Sequence, residues 1–182
     1  MASTKKQTKN KDTSVYYWAS ARIALGATFL WAFLDKLLGL GFATCRDPKT
    51  EAVTTMCEKA WASGGSPTSG FLEFATKGPF ADTFKLLAGN GFVDALFMVG
   101  LLGIGIALIL GIGVRIATVS GVILMSLMWL SALWPENNPF IDEHVIYSII
   151  LLGLLASNKN QAWGLRSKWI QQDIVKKYPI LE

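Results

Sequence analysis

The sequence predicts an all-α membrane protein, a four-transmembrane-helix bundle with extra helices in a long outer loop between spans 1 and 2. Three observations predict it. Of the 182 residues, 52% are hydrophobic and only 16% charged, seven are tryptophan, and the mean hydropathy is positive, which is a membrane composition. Four apolar stretches approach the roughly 20 residues that a helix needs to cross a bilayer. Lysine and arginine gather in the connections on one side of those stretches.

Residues 1–14 are polar and poor in apolar side chains, and read as a cytoplasmic tail. The first span, Val15 to Leu40, is too long for a cleavable signal peptide and carries Arg22, Asp35 and Lys36. It therefore stays as a helix, the first element of a membrane domain over 15–157. Residues 41–91 form an outer loop of about fifty residues, and loops of that length carry function or partners. In its second half, GSPTSGFLEFATKGPFADTFKLL, Ser66 or Thr68 can cap a helix, Pro67 suits a first turn, and Phe71, Leu72, Phe74 and Ala75 form an apolar face. Phe80, Phe84, Leu86 and Leu87 make a second amphipathic piece. Both pieces are expected to lie on the outer membrane face and cover the bundle.

The second and third spans are Phe92 to Gly113 and Arg115 to Trp134, and their glycines suit close helix packing in lipid. The fourth raises a question. Its apolar run, Val145 to Ala156, has only about twelve residues, so a spanning helix must begin near Pro139 and include Asp142, Glu143 and His144, the only histidine. Residues 158–182 place Trp163, Ile170, Ile174 and Tyr178 on one helical stripe flanked by basic residues, as an interfacial cytoplasmic helix would.

Orientation follows from charge. Lys5, Lys6, Lys9 and Lys11, then Arg115, then Lys159, Arg166, Lys168, Lys176 and Lys177 belong together in the cytoplasm. The turn WPENNPF has no basic residue, and the long loop balances five basic with five acidic side chains, so both lie outside. The expected location is the cytoplasmic membrane with both termini inside. The formal charge of +4 then describes tails near anionic lipid, and nucleic acid is not an expected partner.

That topology brings Asp35, Lys36, Asp94, Asp142, Glu143 and His144 to one depth on the outer side. Ionisable groups near hydrocarbon persist when they face protein, water or an opposite charge. They are the candidate catalytic set: Lys36 can neutralise Asp35 or Asp94, and a carboxylate beside His144 would hold its tautomer for proton transfer to a quinone headgroup. The competing reading is that they are helix-end charges, Asp142 and Glu143 favouring a helix N-terminus and Lys36 snorkelling. Arg22 and Arg115 lie toward the cytoplasmic side and suit lipid phosphate or an acidic head group; Ser66 and Thr68 are further candidates for substrate or head-group contact. Cys45 and Cys57 share the outer loop, where an oxidising face would pair them as a structural disulfide or, less simply, as a redox-active dithiol. One histidine and two distant cysteines make no expected metal centre.

The stretches ARIALGATFLWAFLDKLLG, WASGGSPTSGFLEFATKGPFA, VDALFMVGLLGIGIALILGIGVRIA and NPFIDEHVIYSIILLGLLA, in this order between Tyr16 and Gly164, resemble the DoxX family, close to its DoxD branch. The resemblance implies a four-helix membrane subunit similar to that of thiosulfate:quinone oxidoreductases, with quinone as cofactor, thiosulfate or a related sulfur compound as donor, and a second redox subunit as partner. By position, Arg22, Lys36, Arg115 and His144 match the family's recurrent polar residues. Membrane lipid and a second copy of the chain are further expected partners. The alternative class is a non-catalytic membrane scaffold or assembly partner; a lipid or small-molecule carrier is disfavoured, because four short-looped helices leave little room for alternating access.

Overall fold

The computed structural model describes residues 13–159 and 161–182, so the polar tail falls outside the described residues except at Thr13 and Ser14. The described chain is helical and forms no strand. Its long elements are α1 (Ser14–Leu38), α4 (Gly91–Leu110), α5 (Val114–Ser131) and α6 (Glu143–Ser157). Two shorter helices, α2 (Ser69–Phe74) and α3 (Ala81–Lys85), sit in the outer loop, and α7 (Arg166–Trp169) and α8 (Asp173–Lys177) follow α6. Of these, α4 and α5 are long and apolar enough to cross a membrane.

Each long helix stops or starts where local chemistry requires it. Gly39, at φ 66°, ends α1 and returns its amide to Asp35 O at 2.7 Å. Asn90 begins α4 by accepting the amides of Phe92 at 3.0 Å and Val93 at 3.4 Å. The turn between α4 and α5 needs left-handed backbone at Gly111 (φ 69°) and Gly113 (φ 57°), which a side chain would strain.

The fourth helix departs from expectation. It begins at Glu143, not near Pro139, and its 15 residues span about 22 Å, less than a bilayer core of roughly 30 Å. Asn138 is the reason: its Oδ1 accepts the amides of Phe140 at 2.9 Å and Ile141 at 3.0 Å, winding a turn in place of the first helical residues. Asp142 then follows in extended backbone.

α1 packs mainly on α4, α5 mainly on α6, and α4 joins the two pairs. Leu25, Phe29, Met98, Leu108, Met125 and Leu151 are among the buried residues where they meet. Glycine sets the α1–α4 distance: a Cβ at Gly26 would sit 2.9 Å from Ile109 N, and one at Gly105 would sit 2.8 Å from Leu30 N. The outward faces are apolar too, with Leu96 and Val99 of α4, Ile123 and Leu127 of α5, and Ile149 and Leu152 of α6 exposed. So broad an apolar exterior is costly in water.

The outer loop is closed on itself and tied to the long helices. Cys45 and Cys57 form a disulfide, Met56 N donates to Leu38 O at 2.8 Å, and Lys77 N donates to Ser131 O at 2.9 Å at the end of α5. Its helices are less buried than their apolar faces suggest: Leu72 is covered, but Phe74 is 82% and Leu86 84% exposed. The chain after α6 also differs from the single interfacial helix expected over 158–182. It breaks into α7, α8 and a final turn because Trp169 Nε1 donates to Leu181 O at 2.6 Å and Arg166 pairs with Glu182 at 2.9 Å, folding the end back over a buried Val175.

Candidate functional site

Asp142 and His144 meet at the start of α6. Asp142 Oδ1 accepts the amides of His144 at 3.0 Å and Val145 at 3.2 Å, satisfying first-turn donors that have no partner inside the helix. Its other oxygen, Oδ2, lies 2.8 Å from His144 Nδ1. An ionised carboxylate only accepts, so Nδ1 carries the proton in this contact. Nε2 is left without a partner among the described residues.

His144 also lines a cleft of about 200 Å³ between α5 and α6, together with Met125, Ser126, Trp129, Val145 and Ser148. Trp129 Nε1 donates to Phe140 O at 3.0 Å, which fixes the indole against the preceding connection. Ser148 donates to His144 O at 2.8 Å, whereas the exposed Ser126 hydroxyl has no hydrogen bond among the described residues. The cleft thus joins one oriented imidazole and one free hydroxyl to a largely apolar wall. Such a wall excludes water from whatever binds there, while the imidazole can give or take a proton.

Asp142, Glu143 and His144 also offer cation-binding atoms that lie within 4.8 Å of one another. Asp142 Oδ1 already accepts two amides and Oδ2 meets the imidazole, so a cation there would compete with those contacts. Glu143 is exposed and lies outside the cleft lining.

The rest of the expected outer set goes elsewhere. Asp35, 2% exposed, turns its carboxylate back to the amides of Phe42 at 3.0 Å and Ala43 at 2.9 Å, closing the turn after α1. Lys36 lies 5.9 Å over the ring of Phe97 and has no ion-pair partner among the described residues. Asp94, 5% exposed, receives Ser66 Oγ at 2.9 Å and Thr68 Oγ1 at 2.6 Å, which latches the outer loop onto α4. None of the three lines the His144 cleft, and no hydrogen bond or ion pair among the described residues joins these sites to it. The contacts instead separate them by their direction around each helix. Ser66 and Thr68 are likewise engaged by the protein: both donate to Asp94, and Ser66 Oγ also accepts Ser69 N at 3.1 Å.

Arg22 is the largest departure. In place of a lipid-facing guanidinium, it is 1% exposed, and Nη1 donates to the carbonyls of Leu108 and Ile109 while Nη2 donates to those of Ala162 and Trp163, each at 3.0 Å. It ties the C-terminal end of α4, where carbonyls lack helical partners and a cation is favoured, to the chain beyond α6. Arg115 donates its amide to Glu182 O at 3.0 Å and Nη1 to Pro179 O at 3.3 Å, holding the end of the chain.

The chain matches no protein-family model, no curated protein and no solved structure.

Glu136 and Asp47 are held below the ordinary range. Glu136 is lowered by its hydrogen bond from Lys77, 2.5 Å away, and Asp47 by the backbone amides of Thr50 and then Lys49. Sequence reasoning missed Met125, Ser126, Trp129 and Ser148. Ser148 could have been found, since it lies one turn beyond His144 on the same face. The α5 residues could not, because nothing local shows that α5 is the helix facing α6.

Proposed function

We propose that this chain is a four-span protein of the cytoplasmic membrane, both termini cytoplasmic, that handles a quinone headgroup at the α5–α6 cleft. The observation that carries this reading is the Asp142–His144 contact of 2.8 Å on the wall of an otherwise apolar cleft. At about 200 Å³ the cleft is smaller than the roughly 300–1,000 Å³ of ordinary ligand sites, and so suits a single ring with its apolar tail outside. A quinone bound there supplies a two-electron, two-proton acceptor. His144 holds and moves a proton at Nε2, Asp142 keeps Nδ1 protonated and the ring in place, Ser126 offers a hydroxyl, and Met125, Trp129 and Val145 keep water out. The resemblance to the DoxX family supports thiosulfate or a related sulfur compound as the electron donor, with a second subunit to handle it. The test is reconstitution in liposomes with a ubiquinone or menaquinone analogue and thiosulfate. His144→Phe should insert and fold yet lose both turnover and analogue-induced stabilisation; a variant that keeps both removes the cleft as the site.

A scaffold or assembly role is the second reading, favoured by Phe74 and Leu86 standing 82% and 84% exposed on the outer loop. It predicts a partner protein that co-purifies and is lost on Phe74→Ser, with no response to quinone.

A further inference from the structure

The structure assigns the small cavity at the α4–α5 turn end of the bundle to one internal water molecule, held between Arg22 and Gln161. This is independent of the quinone reading. A guanidinium has five N–H donors in a fixed fork. Four backbone carbonyls from two separate segments accept from Nη1 and Nη2, whereas Nε, which is buried, has no partner among the described residues. Gln161 Oε1 is buried and unpartnered as well, its Nε2 being spent on Asn158 Oδ1.

These two orphaned groups belong to residues that line the same cavity. Arg22, Gln161 and Ser157 give it a polar wall, and Trp18, Val114 and Leu154 an apolar one. Its volume is about 10 Å³, close to the ~10–15 Å³ that one water requires. Water supplies what both groups lack, since it accepts from Nε–H and donates to Oε1, and Ser157 Oγ offers a third contact. Exchanging the Gln161 amide atoms would set oxygen against Asn158 Oδ1, so Oε1 remains the unpartnered acceptor. An anion would neutralise the guanidinium, but a dehydrated halide or carboxylate is too large for this space. The backbone is shaped around the node: a Cβ on Gly111 would lie 2.7 Å from Gln161 Oε1 and 2.9 Å from Arg22 Nη1.

The experiment is an X-ray density map of the full chain crystallised from a lipid mesophase, at a resolution that shows ordered water, for the wild type and for Gln161→Met. The wild type should show one peak within hydrogen-bond reach of both Arg22 Nε and Gln161 Oε1. In Gln161→Met, the four carbonyl contacts of Arg22 should persist and the peak should vanish. A direct Nε–Oε1 bond, an empty cavity, a bromide anomalous peak after halide soaking, or an unchanged peak in Gln161→Met would each overturn the assignment.

Discussion

Asp142 and His144 hold each other at the threshold of α6: one carboxylate oxygen caps the helix, and the other lies 2.8 Å from the imidazole Nδ1. The residue that starts the helix therefore also aims the only histidine in the chain. The helix cap and the imidazole contact fall to the two oxygens of one carboxylate.

These two roles separate by substitution. Asp142→Ala removes the cap and should cost about 1 kcal/mol of stability. Asp142→Asn caps about as well and should melt near the wild type, yet its amide no longer dictates which ring nitrogen carries the proton. Quinone-linked turnover in Asp142→Asn should fall roughly 10²-fold, the usual scale of a general acid–base contribution. Thermal unfolding beside a turnover assay decides it; an Asn variant of full activity would leave Asp142 as a cap alone.

Arg22 should be intolerant even of its closest chemical relative. Lysine keeps the charge, but a single ammonium cannot reach two pairs of carbonyls on separate segments as the guanidinium fork does. Arg22→Lys and Arg22→Met should both lose at least ~2 kcal/mol, the scale of one hydrogen bond to a charged group. Unfolding in detergent measures this. A lysine variant as stable as the parent would mean that charge near the end of α4, without the fork, is enough.

Reducing the Cys45–Cys57 disulfide, which closes a loop of sequence separation 12, should cost on the order of 3 kcal/mol through the entropy returned to the unfolded chain. The disulfide segment should loosen first, with Met56 N on Leu38 O still anchoring it to the end of α1. A melting temperature unchanged after thiol treatment, with free thiols verified, would show that the bridge adds no stability.

Docking of the outer loop on α5 should weaken in acid. Lys77 holds the Glu136 carboxyl below its ordinary range, so the pair contributes fully above the usual glutamate value and fades as pH falls through the depressed one. Side chains 52% and 78% exposed make the effect small and sensitive to salt. The protection factor of the Lys77 amide, bonded to Ser131 O, should fall on acidification in the wild type and not in Lys77→Met. Equal pH dependence in both proteins would locate the effect elsewhere.

Much of the helical layout was readable in the sequence alone because its determinants are local. Apolar runs placed α1, α4 and α5 to within a few residues, since composition and length decide whether a segment must satisfy its own backbone as a helix. Asn90, Gly111 and Gly113 terminate helices through contacts with near neighbours. The start of α6 was misjudged for an equally local reason: a hydropathy count cannot register that Asn138 spends its carboxamide on Phe140 and Ile141. The destinations of the charges were another matter. A buried Arg22 and a lipid-facing one have the same neighbours in sequence, and the carbonyls that claim it come from residues 108–109 and 162–163. Asp94 finds Ser66 and Thr68, and His144 finds Met125 and Trp129, only because helix rotation and pairing bring distant segments together. Hydrophobicity and capping act along the chain and fix which segments are helices; direction around each helix is fixed by packing between them, and it decided which polar groups meet.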